Sequence, residues 1–411
     1  MSDRKTPLAL PATPRGEICL ILMAVGMTVA MTGIIDAQAQ KPVPLRRSEV
    51  QRTLPITKFY DTPDPLPEGK PGALIRSQEF DQYEIPYSIT AVRFLYHSRS
   101  ASGKDVAASG VVLFPYDKKP PAGGWPVIAW AHGSTGIGRS CAPSLMRNIG
   151  YGPFLSMYAN LGYAVVATDY AGLGTRFRNA FLDGPSNAAD VINSVPAARA
   201  AVPQLGTGWV VMGKAEGGLT VVAVADKENE IRDSGYLGAI AISDLAGLKE
   251  IYADSTLRSS SLMLTSLAYG LKTVYPQFRE TDMLTLKGLA LYHEIEQDCS
   301  EARTAPELPP DQIVKPGWES NPFVRQYFDR NDPGQRQAYG PILVISSAAP
   351  SSNLATVTAQ TIHRMCKEGD RIQWEQYPDP DPGDVIGDSV RDQIGWIEGR
   401  FGSRPAPANC P

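Results

Sequence analysis

Gly213-Lys214-Ala215-Glu216-Gly217-Gly218 has the residue types and spacing of a nucleophile elbow, except at its centre. In such an elbow a strand enters a helix through a tight turn, and glycines two residues before and after the centre make room for it. The apolar run Trp209–Met212 precedes the motif, and a helical pattern begins near Gly217. The chemistry requires Ser, Cys or Asp at the centre, because the turn projects that side chain above the sheet. The central residue here is Ala215.

A shifted nucleophile is not available, since no Ser, Thr or Cys occurs between Thr207 and Thr220. Taken alone, the six residues are equally consistent with a glycine-rich connection that has no chemical role. The surrounding elements and motifs therefore have to decide between the two interpretations.

The strands that must position this turn alternate with helical segments. Ala91–Tyr96 and Ala107–Phe114 are predicted to form a hairpin, because Gly103-Lys104 makes a turn between them. The next apolar runs lack alternation, which is typical of parallel strands buried on both faces. The predicted strands after the hairpin are Pro126–Ala131, Ala164–Thr168, Trp209–Met212, Gly238–Ile242, Ile342–Ser346 and Arg371–Tyr377. This order indicates an α/β protein with a mostly parallel, doubly wound sheet.

Helices are predicted between and after these strands. One spans Gly152–Leu161 and another Ser186–Ala201, with Ser186 as N-cap and Pro196 as an unfavourable interior residue. The last is marked by apolar residues at helical spacing, namely Val390, Ile394, Ile397 and Phe401. Residues 245–338 contain no strong strand, and their helical candidates are Leu245–Ala253, Leu262–Val274 and Met283–Glu296. We therefore expect a helical cap insertion over the sheet.

Composition excludes several classes of protein. Of the 411 residues, 43% are hydrophobic and 20% charged, which is typical of a soluble globular chain with a sizeable core. The formal net charge is −4 and the basic residues are evenly spread, so we expect no nucleic-acid partner. The cysteines lack zinc-like spacing, so we expect no metal, and no motif indicates a cofactor.

The N-terminus has the pattern of an export signal. Arg4, Lys5 and Arg15 precede the apolar stretch Ile18–Ile35, and Ala37-Gln38-Ala39 is a small-x-small cleavage site. The alternative is an uncleaved membrane anchor, since the apolar stretch is about long enough to span a bilayer. Both interpretations place the folded part outside the cytoplasm, secreted or periplasmic in the first case. Removing Cys19 with the signal leaves four cysteines, for which an oxidising location favours disulfides.

These patterns divide the chain into consecutive segments. The stretch after the signal is rich in proline and charge, which predicts an extended arm. The predicted segments are 1–39 signal peptide or anchor, 40–80 N-terminal arm, 81–244 and 339–402 core, 245–338 helical cap insertion, and 403–411 C-terminal tail.

Three segments together resemble the secretory lipase family of α/β-hydrolases. The first is Val127–Gly136, which includes His132-Gly133-Ser134-Thr135, with Cys141-Ala142-Pro143-Ser144 behind it. The second is Gly162–Gly174, and the third is the elbow motif. Weaker similarity extends the resemblance to about residues 90–402. The resemblance implies an α/β-hydrolase fold and lipase or esterase ancestry.

All three positions of the family's catalytic triad are substituted in this sequence. The family's elbow reads Gly-His-Ser-Gln-Gly-Gly, so Ala215 replaces the serine. The acid position falls on Ala349 or Pro350, and no Asp or Glu occurs between Asp332 and Glu368. The histidine position is Pro382, and the last histidine in the chain is His363. A triad needs all three groups for proton transfer, so the chain is interpreted as a degenerate member.

The resemblance also implies a residual oxyanion site made of backbone N–H groups. The loop Gly133, Ser134 and Thr135 supplies one donor and Glu216 the other, and such donors survive side-chain substitution. His132 is interpreted as a structural histidine of this loop. Lys214 and Glu216 are expected either to line a polar pocket or to lie on the surface. The same resemblance suggests two disulfides, which pair Cys141 with Cys299 and Cys366 with Cys410.

Three hypotheses for function follow. The first is an exported protein without efficient catalysis that retains a pocket for a small apolar or acyl ligand under the cap. The second is an active lipase or esterase with displaced catalytic residues, and the third is a structural or partner-binding envelope protein. A membrane is expected as a partner only through an uncleaved N-terminal segment.

Overall fold

One large sheet forms the centre of the protein in a computed structural model that describes residues 53–253, 261–295, 299, 308–348, 353–378 and 385–410. Among these residues nine strands pair in the order β1-β2-β3-β5-β4-β6-β7-β8-β9. The strands are β1 Leu74–Glu79, β2 Ile89–Arg99, β3 Asp105–Pro115, β4 Trp125–Ala131, β5 Ala164–Thr168, β6 Leu205–Lys214, β7 Tyr236–Ile242, β8 Pro341–Ser347 and β9 Arg371–Tyr377.

Strand pairing changes from antiparallel to parallel once across the sheet. The pairs β1–β2, β2–β3 and β3–β5 are antiparallel. From β5 to β9 every neighbouring pair is parallel. Parallel strands are covered on both faces, and this accounts for the unbroken apolar runs of the central strands. The α/β class and the mostly parallel sheet are as predicted, and β5 and β9 have the predicted limits.

Helices cover both faces of this sheet. Alternate residues of the parallel strands point to opposite faces. On one face they pack against the helices at Gly184–Ala201, Glu216–Ile231 and Asn353–Lys367, and on the other against those at Gly152–Asn160 and Val390–Phe401. The helices are α1 Gly152–Asn160, α2 Gly184–Ala201, α3 Glu216–Ile231, α4 Leu248–Ala253, α5 Ser261–Val274, α6 Leu286–Glu294, α7 Pro310–Ile313, α8 Pro322–Arg330, α9 Asn353–Lys367, α10 Val385–Asp388 and α11 Val390–Phe401.

Helices α4 to α8 lie in the segment between β7 and β8. Their apolar side chains form a core of their own, which includes Leu264, Leu267 and Tyr327. Phe181 and Leu182, from the turn before α2, are also part of it. Since these two residues belong to the main sheet domain, they join the helical insertion to that domain.

The predicted start of α2 is wrong. The N-cap is Asp183, whose carboxylate accepts from the Ser186 backbone N–H at 3.1 Å, so Ser186 lies inside the first turn. Asp183 also forms an ion pair with Arg330 of α8 at 2.7 Å. An aspartate N-cap with a proline in the first turn is a local start signal, which the sequence prediction did not use. Pro196 lies inside α2 without ending it, and nothing in the structure explains why the proline is tolerated.

The predicted N-terminal arm contributes to the sheet. Leu74–Glu79 pairs with β2 as an edge strand, and its last three residues are exposed. Before it, Tyr60 is fully buried, and its hydroxyl lies 2.9 Å from the Ser144 hydroxyl. A short edge strand with a weak apolar pattern is difficult to recognise from its own sequence.

Both predicted disulfides are present. Cys141 is bonded to Cys299, and Cys366 to Cys410. The second disulfide ties the C-terminal tail to α9. Beside it, the Asn409 backbone N–H donates a hydrogen bond to the Ile372 carbonyl of β9 at 3.0 Å. The tail therefore covers the free edge of β9.

Candidate ligand site at the elbow

Ala215 is the single residue between the end of β6 and the start of α3. Its backbone has φ 53° and ψ −116°, a conformation that residues other than glycine rarely adopt. Its N–H donates to the Ile242 carbonyl at 3.1 Å, which holds the turn against the end of β7. This is the strained strand–turn–helix geometry that an elbow requires, with a methyl group in the place of the nucleophile.

The elbow glycines are required by the close approach of neighbouring backbone. A Cβ atom on Gly217 would lie 1.9 Å from the Ala131 carbonyl oxygen. A Cβ atom on Gly213 would lie 2.4 Å from the Gly217 carbonyl oxygen. The glycine spacing noticed in the sequence therefore follows from packing of β4 against β6 and α3.

The unfavourable φ of Ala215 destabilises the folded protein, and glycine at this position would relieve the strain. We expect Ala215→Gly to raise the free energy of unfolding by about 1 kcal/mol. Relief of the unfavourable φ contributes about 1–3 kcal/mol, and the greater unfolded-state freedom of glycine offsets about 0.5–1 kcal/mol. Urea unfolding of the two proteins measures the difference. A lower stability of the glycine variant would show that the Ala215 backbone is not strained.

The Ala215 methyl group faces a cavity of about 490 Å³ at the carboxyl end of the parallel strands. Open α/β sheets bind their ligands at this edge. The walls are mostly apolar, and they come from the sheet, from α3, from the helical insertion and from α9 and α10. The apolar lining residues are Leu182, Leu219, Ile242, Ala246, Ile251, Met263, Ile345, Leu354, Ala355 and Val385.

The predicted oxyanion loop follows β4 and lies beside the apex. A Cβ atom on Gly133 would be 3.6 Å from the Ala215 Cβ, so the loop backbone passes directly alongside it. Ser134 lines the cavity, whereas the buried Thr135 hydroxyl has no hydrogen-bond partner among the described residues. The loop and the N-terminus of α3 are thus adjacent, as the two donors of an anion site must be.

Glu216 is buried beside the apex and is not a surface residue. Its Oε2 accepts from the Ser134 hydroxyl at 2.6 Å. Its Oε1 accepts from the Leu182 backbone N–H and from the Asn187 amide, both at 3.0 Å. Lys214 lines the same cavity, and its ammonium lies 5.9 Å from the centre of the Tyr151 ring. Of the two alternatives for Lys214 and Glu216, the structure favours the polar pocket.

His132 has a structural environment. Its Nδ1 lies 2.7 Å from the Gly133 carbonyl oxygen and its Nε2 lies 3.1 Å from that of Asp169. Its ring stacks on Tyr170 at 4.2 Å, and the side chain is buried. Both ring nitrogens face backbone carbonyls, so this imidazole stabilises the loop that follows β4.

The other three histidines of the chain lie elsewhere. His97 pairs with Asp105 at 3.0 Å, while His293 and His363 are exposed on α6 and α9. None of the four histidines is among the described residues that line the cavity. The predicted acid and histidine positions, Ala349 or Pro350 and Pro382, lie outside the described residues.

The sequence interpretation missed Asp244, which lines the cavity just after β7. Burial raises the pKa of its carboxyl, and its Oδ1 has no hydrogen-bond partner among the described residues. Ser243, Ser346 and Ser347 line the cavity at the ends of β7 and β8. Their place after apolar parallel strands is a signal for site residues that the sequence contained.

Neither a metal-binding cluster nor a membrane-spanning helix is present in the described part of the chain. There, no group of three or more His, Cys, Asp or Glu side chains is arranged to hold a metal ion. In the same residues no helix is long and apolar enough to cross a bilayer.

Comparison with solved structures identifies the fold. The ligand-bound rice cell wall degrading esterase LipA from Xanthomonas oryzae has 18% identity and a TM-score of 0.66, over 82% of this chain and 100% of that chain. Candida antarctica lipase A in its closed state has 16% identity and a TM-score of 0.72, over 87% of this chain and 89% of that chain. No protein-family model matches the sequence, and no curated protein matches it. The chain has the α/β-hydrolase fold, in the lipase-like form of these two structures.

Proposed function

We propose that this chain is an exported ligand-binding protein of lipase-like fold that does not hydrolyse esters efficiently. The observation that carries the proposal is Ala215 at the apex of an intact elbow, facing a cavity of about 490 Å³. A methyl group has no lone pair with which to attack a carbonyl carbon, so no acyl-enzyme can form at this position.

The ligand proposed for the cavity is a molecule with one long apolar chain. Ile251 and Met263 of the helical insertion line it together with Leu219 and Ile345 of the main domain. Binding pockets for small molecules are mostly apolar with a few placed polar groups, and this lining has that character. Burial of a chain of methylene groups there contributes roughly 0.8 kcal/mol per CH₂.

Export is supported by two independent features. The N-terminal sequence has the charge, apolar stretch and cleavage site of a signal peptide. The disulfides Cys141–Cys299 and Cys366–Cys410 suit an oxidising compartment. We therefore propose that the protein acts outside the cytoplasm, as secreted or periplasmic proteins do.

Turnover of p-nitrophenyl esters by the purified protein tests the proposal. We expect a rate below the usual enzyme range of ~1–10³ per second. A trace rate is compatible with it, because an oxyanion site and binding alone accelerate hydrolysis by ~10³–10⁴-fold over water. The matched comparison is the triple variant Ala215→Ser, Pro350→Asp and Pro382→His, which restores the three side-chain types of a triad.

Two outcomes separate the proposal from its rival. A wild-type rate in the enzyme range would overturn it in favour of a displaced nucleophile. Equal rates for the wild type and for Ala215→Ser alone would assign the residual activity to the oxyanion site, because a serine without a base adds little.

A further inference from the structure

Three charged side chains line the cavity at the elbow, and they differ in how their charge is compensated. They are Lys214, Glu216 and Asp244, so the described lining has one cation and two anions. Glu216 accepts from Ser134, Leu182 and Asn187, which satisfies both of its oxygens. The ammonium of Lys214 lies over the Tyr151 ring.

Asp244 is the exception. Its Oδ1 is buried and receives no hydrogen bond from the described residues. Burial raises the pKa of this carboxyl. Asp244 is half-buried, and among the described residues its carboxylate has neither a hydrogen-bond donor nor a counter-charge, so we expect a ligand to supply both.

We infer that the occupant of this cavity is a long-chain alkylammonium, with its ammonium group donating to the Asp244 carboxylate and its apolar chain against the cavity walls. This inference rests on the proposed ligand-binding function and goes beyond it by assigning the charge of the head group. An ammonium offers three N–H donors and a positive charge, whereas a hydroxyl offers one donor without charge. A carboxylate head group would add a third anion to the lining.

The experiment compares three probes with the same twelve-carbon chain. Dodecylammonium chloride, 1-dodecanol and sodium dodecanoate are titrated into the purified full chain by calorimetry, each below its micelle concentration. At pH 8 an alkylamine is still protonated, since the ordinary pKa of such a group is about 10.4. We expect dodecylammonium to bind about tenfold or more tightly than either other probe, as hydrogen bonds to charged groups typically allow.

Asp244→Asn tests the assignment of the head-group partner. The variant is expected to lose about tenfold in affinity for dodecylammonium and much less in affinity for dodecanol, and retained dodecanol binding also shows that it is folded. Asp244→Ser is a second variant with the same expected pattern. Asp311→Asn is the matched control, because it removes one exposed acid outside the cavity and should change neither affinity.

The outcomes distinguish this inference from the function on which it rests. Binding of all three probes with equal affinity, or tightest binding of dodecanoate, would overturn the inference and leave the proposed function standing. Failure of every probe to bind the wild type would overturn both. An equal loss of dodecylammonium binding in Asp311→Asn would show non-specific attraction to an acidic protein, and would also overturn the inference.

Discussion

Gly217→Ala is expected to lower the free energy of unfolding by about 4 kcal/mol or more, enough to prevent folding of a marginally stable chain. The added Cβ would lie 1.9 Å from the Ala131 carbonyl oxygen and 2.8 Å from that of His132. Both atoms belong to backbone at the end of β4 and the loop after it, so no side-chain rotation relieves the clash. Soluble yield and urea unfolding measure the effect.

Gly395→Ala is the matched control with the opposite sign. Gly395 lies exposed inside α11, and its added Cβ would meet no atom within 4 Å. Alanine in a helix interior is more favourable than glycine by about 1 kcal/mol, so this variant should be more stable than the wild type. If Gly217→Ala unfolds at the same urea concentration as the wild type, the elbow does not pack as closely on β4 as described.

Raising the pH from about 4 to about 8 is expected to lower the free energy of unfolding by several kcal/mol. Burial raises the pKa of Asp190 to about 7. Burial also raises the pKa of Asp226 and that of Glu228 to about 7. In the unfolded chain such groups titrate near pH ~4, so between the two values the folded state binds more protons. The stabilisation is therefore complete below about pH 4 and is lost as the pH rises through about 7.

Asp190 alone accounts for up to about 4 kcal/mol of this change, from three pKa units at about 1.36 kcal/mol each. It is fully buried in α2, where it accepts from the Ser98 hydroxyl and from the Ala171 backbone N–H. Asp190→Asn cannot ionise, so its stability should fall less between pH 5 and pH 8 than that of the wild type. The exposed Asp311→Asn should keep the wild-type slope.

Urea midpoints at pH 5 and pH 8 measure this prediction for the three proteins. A wild-type midpoint that rises with pH would contradict it.

The class of fold was predictable because strongly apolar runs are local signals. Ala164–Thr168 and Arg371–Tyr377 have the same limits in the structure as in the sequence pattern. The elbow was recognisable for a related reason, since a tight turn from a strand into a helix needs small residues at positions such as Gly213 and Gly217. The absence of a nucleophile at position 215 was equally clear from the sequence, because the residue at a fixed place in a motif can be identified without a structure.

Features that depend on long-range contacts were not predictable in the same way. The ion pair that joins the N-cap of α2 to α8 connects Asp183 with Arg330, 147 residues away. The burial of Glu216 depends on donors from Ser134 and Asn187, which approach it only when β4, α2 and α3 are packed together. That the Asp244 Oδ1 has no hydrogen-bond partner among the described residues likewise depends on the packing around the cavity. Local sequence carries periodicity and turn chemistry, whereas burial and hydrogen-bond partners of polar groups arise from the packed arrangement of distant segments.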